Sequence, residues 1–195
     1  MEKPTYYTIE KMLGMIEEPN RSGCLKLFQD NYKLFRTSFG SSRNHQAWPG
    51  GYDDHIRDAM NIGIVLYQTL NQLRSLPFSL SDVLLCVYLH DLEKPWAYEN
   101  GDDENLRRTK VFKSKENQHA FRLKKMREYN IVLTPEQENG IKYAEGELND
   151  YTPKQRTMGP LAAFSHLCDI TSARIWFGFP AESGDPWTGS GRGLS

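Results

Sequence analysis

Apolar side chains recur every three or four residues along most of this chain, which is the period of an amphipathic α-helix. The pattern predicts helices over 7–17, 23–35, 54–75, 117–130 and 159–177. No segment shows a good alternation of apolar and polar residues, so no β-strand is predicted, and no repeat of fixed period is present. We therefore expect an all-α fold class, as a single-domain helical bundle.

Two more helices are predicted from their composition and their start signals. The segment FSLSDVLLCVYLHDL, over 78–92, is apolar on all sides, as expected of a central helix. Ser79 or Ser81 is available as its N-cap. In TPEQ, over 134–137, the threonine can cap a helix, the proline takes the first helical position and the glutamine completes a capping box.

The helical domain is expected to span residues 1–180, and residues 181–195 are predicted to form a flexible C-terminal tail. Residues 99–112 are predicted to form a loop. A chain of 195 residues is long enough to bury one sizeable core. Its content of 38% apolar and 25% charged residues is typical of a folded globular protein.

The sequence gives no sign of a membrane protein or of a secreted one. No apolar run approaches the ~18 residues that a membrane span requires, so no membrane partner is expected. The N-terminal segment lacks the basic and apolar regions of a signal peptide. The three cysteines are widely spaced, which is typical of buried thiols in a reducing compartment, and the cytoplasm is expected. Nothing in the pattern predicts the oligomeric state.

The net charge of −1 conceals a local asymmetry. Between Arg107 and Arg127 lie nine lysine or arginine residues and one acidic residue, Glu116. Such a run is either a solvated face or a surface that attracts a phosphate-rich substrate. The near-neutral balance of the whole chain argues against a dedicated duplex-binding protein, which would usually be basic throughout.

The stretch NHQAWPGGYDDHIRDAMNIG, over 44–63, combines a turn with the start of a helix. The proline and the two glycines of WPGG break regular structure, and Asp53 or Asp54 can cap the helix that follows. His55 then lies where this helix is predicted to begin. Taken alone, it is either a residue of the capping region or the first ligand of a site.

Polar residues on apolar helices indicate the candidate chemistry. His90 and Asp91 close the most apolar helix, and Asp169 lies among apolar residues of the last predicted helix. An ionised aspartate in such surroundings costs several kcal/mol unless it is paired or bound to a metal. With His55, these residues form a set of two imidazoles and two carboxylates. This set suits Mn²⁺, Fe²⁺, Co²⁺, Ni²⁺ or Zn²⁺, and Mg²⁺ less typically.

The ordered pattern of His55, His90-Asp91 and Asp169 resembles the HD-domain superfamily of metal-dependent phosphohydrolases. The turn HQAWPGGYDDH is similar to the branch that includes the HD domain of 3′-to-5′ exoribonucleases. LLCVYLHDLEKP resembles the apolar helix of that branch, which ends in His-Asp-x-x-Lys, and GPLAAFSHLCDITSAR resembles its closing helix. The resemblance covers roughly residues 40–176, the core motifs of the predicted domain.

The resemblance implies a ligand set and two substrate contacts. The implied metal ligands are His55, His90, Asp91 and Asp169. In this family, the aspartate of the His-Asp pair often bridges two ions when two are bound. Lys94 would lie near the metal and hold the substrate phosphate as a point charge, and His45 would line the pocket and contact the phosphate or the leaving group. The alternatives are a solvated lysine and a structural turn histidine.

Family members with two metal ions carry further histidines between the His-Asp pair and the last aspartate. His119 is compatible with one of them, whereas the second falls in IKYAEGELND, which has no histidine. Either Glu145 or Glu147 supplies an oxygen ligand there, or one ion is held and His119 serves as an acid or a phosphate contact. We favour one firmly held ion, with a second as the alternative. His166, on nearly the same helical face as the last aspartate, is interpreted as a structural or supporting residue.

Three functions are compatible with this pattern. The first is a phosphohydrolase acting on a nucleotide or a related small phosphoester, in which metal-activated water attacks phosphorus and Asp91 orients or deprotonates that water. The second is a 3′-to-5′ exonuclease or phosphodiesterase on short single-stranded nucleic acid, supported by the turn and the basic segment 107–127. The third is a non-catalytic HD-fold binding or regulatory module, which the presence of all four core ligands argues against. Small size and near-neutral charge favour the first.

Overall fold

The computed structural model describes residues 3–100, 106–147 and 150–191. Its α-helices are Ile9–Leu13 (α1), Asn20–Asp30 (α2), Tyr32–Thr37 (α3), Gly51–Leu73 (α4), Leu80–Leu89 (α5), Lys94–Ala97 (α6), Lys115–Glu128 (α7), Pro135–Lys142 (α8) and Pro160–Ile170 (α9). The described residues also contain a 3₁₀ turn at Lys110–Lys113 and a π-helical turn at Thr171–Ile175. The all-α fold class is confirmed.

A short β-hairpin lies where the sequence predicted only a loop. Strand β1 (Tyr98–Asn100) pairs antiparallel with strand β2 (Leu106–Arg108), with Tyr98 opposite Arg108. The prediction that no strand forms was wrong here, because strands of three residues are too short to show an alternating pattern. The part of the predicted loop between the strands, 101–105, lies outside the described residues.

Helix α5 is the central helix that its composition predicted. Every residue from Val83 to Leu89 is buried, and the helix packs against α4, α8 and α9. Ser79 caps it in a capping box with Asp82, so Ser79 and not Ser81 is the cap. Helix α8 likewise begins with the capping box predicted from TPEQ. These local signals are strong because they depend only on neighbouring residues.

Three of the predicted helices are shortened or divided in the structure, and the helix predicted over 117–130 lies at Lys115–Glu128. The predicted helix over 7–17 is limited to α1, and the one over 23–35 is divided into α2 and α3 at Asn31, whose side-chain amide donates to the Leu27 carbonyl at 2.9 Å. The one over 159–177 consists of α9 and the π-helical turn. Among the described helices, none combines the length and the apolarity needed to cross a membrane.

The helix that carries His55 begins earlier than predicted. Helix α4 starts at Gly51, and Gly50, with a left-handed φ of 86°, is its N-cap residue. Asp53 and Asp54 lie in the first turn of the helix, so their prediction as caps was wrong. Glycine adopts the left-handed conformation without the steric penalty of a Cβ, which allows the sharp entry into α4. His55 therefore lies one turn into the helix and faces the core.

The segment after 180 returns to the start of the chain. The Trp187 ring packs edge to face against Tyr6 with ring centroids 4.8 Å apart, and its Nε1 donates to the Pro4 carbonyl at 2.8 Å. It also contacts Trp176, at 6.1 Å between ring centroids. These contacts lie in the segment 181–195, which was predicted as a flexible tail. Residues 192–195 of that segment lie outside the described residues. The domain boundary at 180 stays a prediction.

Gly51 provides a test of how tightly the turn before α4 is packed. A Cβ at this position would overlap the backbone carbonyl oxygen of Gln46, so Gly51→Ala requires a backbone shift. We expect the free energy of unfolding in urea to fall by about 3 kcal/mol, near the upper end of the usual range for overpacking. Gly184→Ala is the control, because a Cβ there meets nothing within 4 Å. Equal stability of the two variants would contradict the tight packing of this turn.

Candidate metal centre

Four polar side chains from three packed helices meet in the core. Helices α4, α5 and α9 contact one another pairwise, and each brings its polar residue to the common junction. Adjacent residues in a helix point about 100° apart. Since α5 ends at Leu89, His90 is its C-cap residue and Asp91 follows in the turn, so that both can face one point. The four residues are His55 from α4, His90 and Asp91 from the end of α5, and Asp169 from α9.

The ligand atoms of these residues are close enough for a single ion. His55 Nε2 lies 3.4 Å from His90 Nε2 and 3.2 Å from Asp169 Oδ1, and His90 Nε2 lies 3.2 Å from Asp91 Oδ2. All four ligand atoms lie within 4.8 Å of one another. Metal–ligand bonds of about 2.1 Å place adjacent ligands roughly 3.0–3.4 Å apart. The cluster therefore has the spacing of a coordination shell.

The centre is nearly closed to solvent. The side chains of His55, His90 and Asp91 are at most 1% exposed, whereas that of Asp169 is 12% exposed. Two carboxylates in such a place are strongly destabilising unless cations or protons compensate their charge. The small exposure of Asp169 also identifies the side from which solvent reaches the centre.

The hydrogen bonds of the cluster leave ligand atoms without partners. His90 Nδ1 lies 2.7 Å from the Val87 carbonyl, which only accepts, so Nδ1 donates and Nε2 is directed into the centre. His55 Nδ1 lies 3.1 Å from Ser172 Oγ, which can accept from it in the same way. Asp91 Oδ1 is buried and has no hydrogen-bond partner among the described residues. Two imidazole nitrogens that face Asp91 Oδ2 and Asp169 Oδ1 fit a bound cation, so the cluster can hold a metal ion.

The charges of the cluster shift the pKa values of its members strongly. Burial lowers the pKa of His90, but the carboxylates of Asp91 and Asp169 outweigh it and raise this pKa to about 10. Burial acts to raise the pKa of Asp91, yet Lys94 and His90 hold it well below its usual range. Hydrogen bonds from the two imidazoles likewise lower the pKa of Asp169, against the effect of burial. The carboxylates are therefore ionised and attract positive charge to the centre.

Lys94 and His45 lie at the edge of this cluster. The Lys94 ammonium group is ion-paired with Asp91 Oδ2 and its side chain is 4% exposed, so the alternative of a solvated lysine does not hold. Burial lowers its pKa, but Asp91 more than compensates and raises it above the ordinary value. His45 Nε2 lies 3.5 Å from Lys94 Nζ, and the His45 ring lies 5.1 Å from that of His55. Burial and the Lys94 charge lower the pKa of His45 to about 3.

The residues predicted as ligands of a second ion have other partners. His119 Nε2 lies 3.5 Å from Glu138 Oε1 on the neighbouring helix. Glu145 is ion-paired with Lys115 and lies 3.8 Å from a guanidinium nitrogen of Arg122. Neither His119 nor Glu145 belongs to the four-residue cluster. Their role toward a second ion, or that of His119 as an acid or a phosphate contact, stays a prediction.

Glu147 and His166 make structural hydrogen bonds. The Glu147 carboxylate accepts from the backbone N–H groups of Thr157 and Met158, at 3.1 and 2.8 Å. His166 Nδ1 lies 2.7 Å from the Ala144 carbonyl and donates to it. These bonds tie the chain after α8 to the segment around α9. They agree with the interpretation of His166 as a residue outside the ligand set.

Two residues near the centre, Gln46 and Glu93, were not identified from the sequence. Gln46 is fully buried and contacts both His45 and Ser172, which in turn contacts His55. Glu93, next to Lys94, is buried and ion-paired with Arg122 at 3.0 Å. Gln46 follows a candidate histidine directly, but nothing local shows that its amide points inward. The partner of Glu93 is almost thirty positions away along the chain, so no sequence pattern connects them.

The chain was compared with models of protein families, with curated proteins and with solved structures. None of the three comparisons found a match. What these residues do is therefore inferred from their geometry and chemistry.

Proposed function

We propose that this chain is a metal-dependent phosphohydrolase of the HD-domain type, which cleaves a phosphoester of a nucleotide or a related small molecule. The observation that carries the proposal is the convergence of the four ordered residues of the HD pattern on one buried point, with their ligand atoms within 4.8 Å of one another. These residues span most of the sequence, from position 55 to position 169. A histidine that is only a buried core residue with its hydrogen bonds made would not require this convergence.

The donor set restricts which ion the centre would hold. Two imidazole nitrogens and two carboxylate oxygens suit Mn²⁺, Fe²⁺, Co²⁺, Ni²⁺ or Zn²⁺ better than Mg²⁺, which prefers oxygen ligands. Such an ion would lower the pKa of a bound water and polarise a phosphoryl oxygen. Asp169 is the most exposed of the four residues, so a substrate would approach such an ion from its side.

Lys94 and Asp91 would act directly on the substrate and the water. The Lys94 ammonium group is held by Asp91 and carries a positive charge in a nearly water-free place, where it would attract a phosphoryl oxygen strongly. The second oxygen of Asp91, Oδ1, has no hydrogen-bond partner among the described residues, so it can accept a hydrogen bond from the attacking water. The carboxylate would in this way orient the water toward phosphorus.

The cations of the basic segment 107–127 favour a small substrate over a nucleic acid, because several of them are already ion-paired within this chain. Several of its cations are neutralised by carboxylates of this chain: Lys115 by Glu145, Arg122 by Glu93, and Lys125 by Glu128. Paired cations release fewer counterions on binding a phosphate backbone and so contribute less to its affinity. Exonuclease action remains a defined alternative outcome of the experiment below.

A substrate panel with defined metals tests the proposal. Metal-free protein is supplied in turn with Mn²⁺, Co²⁺ or Ni²⁺ and offered nucleoside mono- and triphosphates, cyclic nucleotides, p-nitrophenyl phosphate and a labelled oligonucleotide. We expect metal-dependent release of phosphate or nucleoside from at least one small substrate, and about one tightly bound ion per chain by elemental analysis. A ladder of shortened oligonucleotides would indicate the exonuclease instead.

Two results would contradict the proposal. If the purified protein retains no divalent ion and none of the three metals binds, the cluster is not a metal centre. If metal binds but no member of the panel is hydrolysed, the chain is a binding module with the same fold.

A further inference from the structure

Gln46 lies between the turn before α4 and the segment that follows α9, where it contacts Ser172, Trp176 and Phe177. It is fully buried, and its φ of 41° is in the left-handed region, which a residue with a side chain rarely adopts. Its backbone N–H donates to the Phe177 carbonyl at 2.9 Å, and its carbonyl accepts from Gly40 and Trp48, both at 3.0 Å. Backbone strain of this kind persists only where the surroundings determine the conformation, and it is concentrated at functional sites.

The contacts of the Gln46 amide determine which way it faces. Nε2 lies 3.1 Å from the Ser172 carbonyl and 3.4 Å from the Trp176 carbonyl. Both groups only accept hydrogen bonds, so the amide nitrogen and not the oxygen must face them. Oε1 therefore faces His45 Nδ1, at 2.8 Å.

This orientation assigns the proton of the His45 ring. Gln46 Oε1 only accepts, so His45 Nδ1 must carry the hydrogen. On the other side of the ring, Nε2 faces the Lys94 ammonium group, which only donates, at 3.5 Å. The ring therefore has one nitrogen that donates to Gln46 and one that accepts from Lys94.

We propose that Gln46 is a positioning residue for substrate binding, acting through His45 on Lys94. The Lys94 ammonium group has three N–H bonds. It is ion-paired with Asp91 Oδ2 and lies 3.5 Å from His45 Nε2, and an N–H bond directed away from both would meet a phosphoryl oxygen of the substrate. With the other tautomer, His45 would direct an N–H at Lys94 and push the ammonium group away. This inference rests on the proposed phosphohydrolase function.

The glycines of the surrounding turn support this role. A Cβ at Gly40 would lie 2.9 Å from the Cβ of Gln46, and a Cβ at Gly51 would overlap its carbonyl oxygen. The turn can therefore close around Gln46 only because both positions lack a side chain. The same closure places Gln46 against Ser172, whose hydroxyl group contacts the ligand His55 at 3.1 Å.

The first measurement is the tautomer of His45 in the unmodified protein, by long-range ¹H–¹⁵N NMR of the imidazole nitrogens. We expect Nδ1 to be protonated and Nε2 to be unprotonated. Detection of the opposite tautomer would overturn the proposal without any variant. In Gln46→Met, no side-chain oxygen accepts from Nδ1, so His45 is expected to lose its preference for the tautomer with a protonated Nδ1. Gln46→Glu, which keeps an oxygen opposite Nδ1, is expected to retain it.

The second measurement is the affinity of the protein for inorganic phosphate. It is determined by NMR titration after Mn²⁺ has been replaced by Zn²⁺. We expect Gln46→Met to weaken phosphate binding by roughly 10- to 100-fold, the usual effect of removing a partner that orients a site residue, and Gln46→Glu to recover most of it. Ser41→Ala is the matched control, because Ser41 Oγ holds the backbone of the same turn, bonding the N–H and carbonyl of His45, without touching its ring.

The outcomes separate the inference from the proposed function. Equal weakening by Ser41→Ala and Gln46→Met, or unchanged phosphate affinity in Gln46→Met, would overturn the positioning role. If the unmodified protein binds phosphate through Lys94 but hydrolyses no substrate, the phosphohydrolase proposal fails while the positioning role stands. If it binds no phosphate, the positioning role fails even where the tautomer is as expected, while the substrate panel still decides the phosphohydrolase proposal.

Discussion

Asp91→Asn is expected to abolish tight metal binding and to reduce hydrolysis by at least about 10³-fold, which corresponds to roughly 4 kcal/mol of activation free energy. Asp91 contacts both imidazoles of the centre, at 3.4 Å from His55 Nε2 and 3.2 Å from His90 Nε2, and it also holds Lys94. The amide keeps the shape of the side chain, but it removes the charge that attracts the cation and replaces one of the two acceptor oxygens by an NH₂ donor. Elemental analysis and the rate on the best small substrate measure the two effects.

His166→Gln is the matched control for this variant. His166 lies on the same helix as Asp169, and its ring donates to the Ala144 carbonyl instead of facing the cluster. The variant should therefore keep its bound metal and most of its activity. Full metal content and unchanged activity in Asp91→Asn would be incompatible with a metal centre at this place. Circular dichroism of both variants shows whether a loss of activity reflects unfolding.

Arg122→Ala is expected to lower the free energy of unfolding by about 3–5 kcal/mol, the usual cost of leaving a buried charge without its partner. Glu93 is buried, and Arg122 Nε lies 3.0 Å from its Oε2, with both side chains at most 3% exposed. Burial raises the pKa of Glu93, and the Arg122 guanidinium group acts against this rise. For a chain of this length the loss should lower Tm by roughly 10 °C, measured by differential scanning calorimetry.

Two further variants show whether the unpaired charge is the cause. Lys124→Ala removes a cation of the same helix whose side chain is 70% exposed and lies 4.0 Å from Glu128, and it should change stability by less than about 0.5 kcal/mol. Adding Glu93→Gln to Arg122→Ala removes the charge that Arg122 compensates, so the double variant should recover part of the lost stability. A double variant less stable than Arg122→Ala alone would contradict this explanation.

Three of the four candidate ligands could be identified in the sequence because each breaks a local rule, whereas His55 was assigned only through the ordered pattern and the resemblance that it carries. His90 and Asp91 end a helix that is otherwise apolar, and Asp169 is a charged residue on an apolar face. Such conflicts between residue type and surroundings are informative without any structure, since an unpaired carboxylate in the core is costly. The capping boxes of α5 and α8 could be predicted for a related reason: they depend only on residues within one turn.

Residues that support the site could not be predicted, because their roles depend on contacts between distant segments. Gln46 meets Ser172 across 126 positions of the chain, and Glu93 meets Arg122 on another helix. The turn before α4 also depends on such a contact, since the Gln46 N–H donates to the Phe177 carbonyl at 2.9 Å. The short hairpin was missed because three paired residues carry too little pattern.

The sequence by itself determined the all-α class, the central apolar helix and the identity of three polar residues on apolar helices, His90, Asp91 and Asp169. These follow from periodicity and from the free energy of burying charge, both of which are local properties. Only the tertiary structure decided that the four side chains share one point, that Lys94 is buried against Asp91, and that Gln46 orients His45. Distances between atoms on different helices depend on how the helices pack, and packing is a property of the whole chain.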